Sequence, residues 1–153
     1  MDIRITFEDI FEIESEGLVF FSDNALLDEG SNSLIENAGN RIVLPLSKVQ
    51  GVATGDVKII PGFDLKQLYV FLTVLPEDIE SNLNQKLFKD SFEKIIALSK
   101  EFDLQSIAIN LNYLKERYGE YYIDCLNRVL RSSNYKFEAV SYTHLTLPTT
   151  PYV

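Results

Sequence analysis

Residues 51–76 read GVATGDVKIIPGFDLKQLYVFLTVLP, and the run at 68–75 within them constrains what the rest of the chain can build. Leu, Tyr, Val, Phe, Leu, Thr, Val and Leu follow one another there. Aromatic and β-branched side chains favour extended backbone, and a strand that is almost uniformly apolar has no face to give to water. It must be covered on both sides, as the central strand of an α/β sheet is. A shorter strand is expected at 57–60. Pro61-Gly62 between the two predicts a type II turn, because proline presets φ at the second turn position and glycine accepts positive φ at the third.

With 153 residues the chain is the size of one domain with one sizeable core. A composition 46% hydrophobic and 24% charged is that of an ordinary globular protein. The formal net charge of −9 repels phosphate backbones, so nucleic acid is not an expected partner. An anionic ligand would have to be held by backbone N–H groups. The single cysteine excludes an intramolecular disulfide, and no apolar run reaches membrane-spanning length. Without a basic segment followed by an apolar one at its start, the chain reads as cytoplasmic and without membrane partners. Its oligomeric state is not legible.

Residues 3–7 alternate in period two, the signature of a half-buried strand, here expected at a sheet edge. The charge of 11–16 suggests an exposed segment. A buried strand at 17–21 stops at Ser22-Asp23-Asn24, residue types that bond local backbone and favour turns. Residues 26–33 read as a polar loop around Gly30. Ser33 with Glu36 fits a capping box for a short helix at 34–38, closed by Gly39. Residues 41–50 are ambiguous, since Pro45 can start a helical turn or interrupt an extended run.

After an acidic connector at 77–82, Leu83, Leu87, Phe88, Phe92, Ile95, Ile96 and Ser99 recur at three- and four-residue spacing, which predicts an amphipathic helix. A second buried strand follows at 104–111. From Lys115 another helix places Tyr118, Tyr121, Tyr122, Cys125, Leu126, Val129 and Leu130 on one face, the tyrosines read as core and Cys125 as a buried structural thiol. A final strand begins at 137–140. This order implies helices on both faces of a mixed sheet.

The segments Ala53-Thr54-Gly55, Ile60-Pro61-Gly62-Phe63 and Thr73-Val74-Leu75-Pro76 resemble the macro domain family, whose TG-[E/D]-A-x-x-T-x-G-[Y/F]-x-L segment leads into a strand ending H-T-V-G-P. Leu72 and Leu75 stand for the His and the second Gly of that strand. The likeness extends more weakly over residues 3–140. It implies a three-layer α/β/α macro-domain-like mixed sheet and the binding of ADP-ribose, or of an ADP-ribosylated protein, at the C-terminal ends of its strands.

Residue by residue, Asp9-Ile10 matches the family's G-D-I, with Glu8 in place of the Gly. Its carboxylate would accept from the adenine amino group, since the one only accepts and the other only donates. The residues alone read equally well as an acidic cap. Asp23 or Asn24 corresponds to the last Asn of N-A-A-N, which holds the distal ribose; alone, they terminate a strand. Gly30 and Ser31 are what remains of a glycine loop that wraps the pyrophosphate, while Asp28 and Glu29 would repel it. Asn32 falls where the family has its catalytic Asp if the loop is slightly shortened, which favours binding over ADP-ribosyl hydrolysis. In place of the second loop, S-T-G-I-[YF]-G, stand Asn110, Leu111, Asn112, Tyr113 and Leu114. Asn110 and Asn112 are its amide-bearing positions, or else parts of a plain strand-to-helix connector.

Residues 140–153, VSYTHLTLPTTPYV, resemble the translation of a transposase-type sequencing adapter. They contain the only histidine. On that reading 1–139 form a C-terminally truncated macro-like domain and 140–153 are not native. Neither a metal-ligand cluster nor a paired acid and base remains, and no cofactor is expected. The alternative function is a degenerate macro-like module, without a nucleotide pocket, that serves interaction or structure.

Overall fold

The computed structural model describes residues 2–6, 9–22, 29–119 and 138–141. Strands β1 (Asp2–Thr6), β2 (Gly17–Phe21), β3 (Val57–Pro61), β4 (Tyr69–Thr73), β5 (Ser106–Asn110) and β6 (Glu138–Ser141) form one sheet in the order β3-β4-β2-β5-β1-β6. All neighbours pair in parallel except β3, which runs antiparallel to β4. Helices α1 (Glu29–Ala38), α2 (Val43–Val49), α3 (Asn82–Glu101) and α4 (Leu111–Tyr118) complete the layers.

Side chains alternate across the sheet with the period of the pleat. Val19, Phe21, Phe71, Ile107 and Ile109 enter a core with Phe88, Phe92, Ile95 and Ile96 of α3 and Leu111, Leu114 and Tyr118 of α4. Leu18, Val70, Leu72 and Ala108 enter the opposite core with Leu34 and Ala38 of α1 and Leu46 of α2. This is the expected three-layer α/β/α sandwich. As the apolar run demands, β4 is interior and buried from Val70 to Thr73.

Several local expectations need correction. β1 is not an edge, because β5 and β6 flank it. Pro61-Gly62 does not make a type II turn: Gly62 has no positive φ, Phe63 does (52°), and the reversal extends to Leu68, whose carbonyl accepts the Gly62 N–H at 2.8 Å. The segment after Asp9 is not simply exposed, since Ile13 and Ser15 are buried. Helix α1 begins four residues ahead of Ser33, so Ser33 is no cap and its carbonyl accepts from Asn37 Nδ2. Ser31, Leu34 and Ala38, one helical face, are all fully buried. That burial outweighs the weak helix propensity of Gly, Ser and Asn.

In the ambiguous stretch a 3-10 turn at Asn40–Ile42 leads into α2, with Pro45 in its first turn. Helix α3 has its expected apolar face, capped by Ser81 accepting from the Asn84 N–H at 3.0 Å; only Leu83, 66% exposed, stands off it. Helix α4 starts at Leu111 rather than Lys115. Tyr121, Tyr122, Cys125, Leu126, Val129 and Leu130 lie outside the described residues, as do 142–153.

Candidate functional site at the strand ends

Parallel pairing delivers the ends of β1, β2, β4 and β5 to one rim. Thr6 pairs with Asn110 and Phe21 with Thr73. β2 and β5 pair only at Gly17–Ile107 and Leu18–Ala108, while β2 stays with β4 to its end, where the Ser22 N–H donates to Thr73 O at 2.9 Å. The two central strands thus part toward the rim, the kind of place where open α/β sheets hold ligands.

Asp9, exposed, caps the 3-10 turn Ile10–Glu12 by accepting the Phe11 N–H at 3.1 Å. Ile10 is buried under that turn. The turn is pinned by Gln67, itself 1% exposed, whose Nε2 donates to the carbonyls of Ile10 and Ile13. Asp23 and Asn24 lie outside the described residues; Ser22, just before them, is buried. Gly30 and Ser31 occupy the first turn of α1 instead of an open loop, Ser31 being fully buried and Asn32 exposed. Asn110 is the N-cap of α4, and its Oδ1 accepts the Asn112 N–H at 2.8 Å. One backbone donor expected at the second loop is therefore satisfied within the chain.

Sequence reasoning missed how α4 lies. From the exit of β5 the helix passes β2, where Tyr113 stacks on Phe21 with ring centroids 4.7 Å apart and planes at 13°. It then reaches the residues after β4. Arg117 donates from Nε to Pro76 O (3.0 Å), from Nη2 to Leu75 O (3.1 Å) and from Nη1 to the Tyr113 hydroxyl (3.1 Å). The Tyr118 hydroxyl also donates to Pro76 O, at 2.6 Å. The i,i+4 pair Tyr113 and Arg117 was available as a signal, but only to a helix starting at Leu111.

Since β3 is antiparallel, its start shares this rim, and Asp56 sits there beside the end of β4. Thr73 Oγ1 donates to Asp56 O at 3.2 Å, and the Gly55 N–H to Val74 O at 3.2 Å. The Val57 N–H, 2.8 Å from Oδ1, lowers the Asp56 pKa; partial burial opposes this, and Lys94 (3.4 Å) and Lys58 (3.8 Å) assist. A carboxyl whose folded pKa lies below its unfolded value contributes stability above the unfolded pKa, and loses it as pH falls through the folded one. Asp56→Asn is therefore expected to lower the Tm at pH 7, with the gap to the parent closing below about pH 4. Thermal melts between pH 3 and 7 check this; a gap independent of pH would refute it.

Among the described residues no group of His, Cys, Asp and Glu could hold a metal ion, and no helix is long and apolar enough to cross a membrane.

The family model described as Macro domain matches residues 24–111, more than half of the chain. No curated protein matches. Among solved structures, the macro domain of ganglioside induced differentiation associated protein 2 superposes with a TM-score of 0.70 at 20% identity, over 92% of this chain and 75% of that one. An Oceanobacillus iheyensis macrodomain with MES bound gives 0.70 at 17% identity, over 92% and 83%. A Trypanosoma brucei macrodomain in complex with ADP-ribose gives 0.70 at 15% identity, over 91% of this chain but 62% of that one.

Proposed function

Since the chain belongs to the macro domain family, we propose that it binds ADP-ribose, or a related nucleotide diphosphate, across the rim where its parallel strands end. The observation that carries this reading is the parting of β2 from β5 at that rim, with Ser22 and Asn110 on either side of the gap. Asp9 would take the adenine amino group, Asn24 or Asp23 the distal ribose, and the first turn of α1 at Gly30 and Ser31 the pyrophosphate, a helix start being suited to an anion. The T. brucei relative was solved with ADP-ribose, which supports the ligand class. An ADP-ribosylated protein is the partner that this reading implies. Binding rather than hydrolysis is proposed, because Asn32 cannot serve as a carboxylate base.

One observation favours a second reading, a macro fold without a nucleotide pocket: Gly30 and Ser31 are helical, and no loop separates β5 from α4. Calorimetric titration with ADP-ribose separates the two. On the first reading Asp9→Ala and Asn24→Ala each weaken binding roughly 10- to 100-fold, the worth of a hydrogen bond to a charged or well-placed polar group. A parent protein that takes up no ADP-ribose would leave only the second.

A further inference from the structure

Arg117 is half-buried on α4, and three of its N–H groups are committed to three acceptors on two different elements. Two are backbone carbonyls, Leu75 O and Pro76 O, just past the end of β4. The third is the Tyr113 hydroxyl, whose ring lies under the guanidinium at 5.7 Å and stacks in turn on Phe21, the last residue of β2. Helix α4 itself continues directly from β5. One planar cation therefore ties together the exits of β4, β2 and β5.

A guanidinium presents its donors in a rigid fork, so it fixes the relative positions of its acceptors; an ammonium is a point donor and cannot do this. The carbonyls of Leu75 and Pro76 lie past the end of β4 in a buried stretch, where groups without partners are costly. The tie is consequently stiff, and it acts on the part of the rim that ends at Ser22. The adenine end, at Asp9, is held by a separate device, the Gln67 amide on Ile10 and Ile13.

We propose that Arg117 is a positioning residue for the sugar-phosphate half of the rim: without touching the ligand, it sets the spacing between the ends of β2, β4 and β5. This rests on the nucleotide reading above. Its signature is selective for one end of the ligand. A residue that only supported the fold would weaken all ligands alike.

The test compares the parent protein with Arg117→Met and Arg117→Lys, titrating ADP-ribose and adenosine in parallel and recording amide NMR shifts without ligand. Arg117→Met is expected to lose about tenfold in ADP-ribose affinity with adenosine affinity unchanged. Amide resonances of Phe21, Ser22 and Thr73 are expected to move while those of Phe11 to Ile13 stay. Arg117→Lys should fall between, and it carries the same comparison if the methionine variant does not fold. Unchanged ADP-ribose affinity, an equal loss for both ligands, or unmoved Phe21 and Ser22 amides would each overturn the proposal. A parent protein that binds neither ligand removes the nucleotide reading and the positioning role with it. If it binds adenosine but the variants lose no selectivity, only the role of Arg117 fails.

Discussion

Phe71→Ala is expected to lower the stability of the domain by about 3–5 kcal/mol, the range for truncating a buried phenylalanine. Phe71 sits in the middle of β4, is fully buried, and belongs to the core shared by the sheet with α3 and α4. Strands flank it on both sides, pairing it with Ile59 and Val19, so neighbouring backbone cannot collapse easily into the space left behind. The ring also depends on a missing side chain: a Cβ at Gly17 would lie 2.8 Å from Phe71 Cε2 and 3.0 Å from Ile107 Cγ2. Gly17→Ala should therefore destabilise the parent protein and do so less in the Phe71→Ala background. Chemical denaturation of the two single variants and the double variant measures this as a coupling energy. A loss below about 1.5 kcal/mol for Phe71→Ala would mean that the site relaxes and β4 is not the rigid centre of the sheet.

Gly62→Ala is the second large effect, about 3 kcal/mol, at the upper end of what overpacking usually costs. No unusual dihedral is responsible. A Cβ at Gly62 would stand 2.1 Å from Gln67 O and 3.1 Å from Gln67 C, backbone atoms that cannot rotate aside, and the Gly62 N–H is bonded to Leu68 O. Relief must come from opening the loop at 62–68. That displaces Gln67, whose amide holds the turn capped by Asp9. For a domain of this size the Gly62 substitution should lower the Tm by roughly 6–12 °C, on the scaling of Tm with stability. A shift below about 2 °C in thermal melts would refute the close-contact account.

Part of the candidate site is legible along the chain and part is not. A strand stopping at Ser22, a second one running to within a residue of its true end at Asn110, and an acidic cap or turn at Asp9 all follow from local pattern, because apolar runs stop where side chains begin to compete for backbone hydrogen bonds. The start of α1 does not. Gly30, Ser31, Asn32 and Ser33 are poor helix formers, and only packing of Ser31 and Leu34 against the sheet makes them helical. The pyrophosphate position thereby changes from a glycine loop to a helix's first turn. The start of α4 was obscured in a similar way: Asn110 reads as the end of a strand and also caps the helix that follows at once.

The sequence by itself determined the layered α/β architecture, the central place of the strand at 69–73 and the long helix after it, because their hydrophobic periods admit one arrangement of buried faces. Tertiary structure alone decided that β1 is interior, that the reversal at Gly62 is governed by contact with Gln67 rather than by φ, and that Arg117 reaches the end of β4. Each of these depends on residues far apart in the chain being brought within a few ångströms, and no local pattern encodes such a distance.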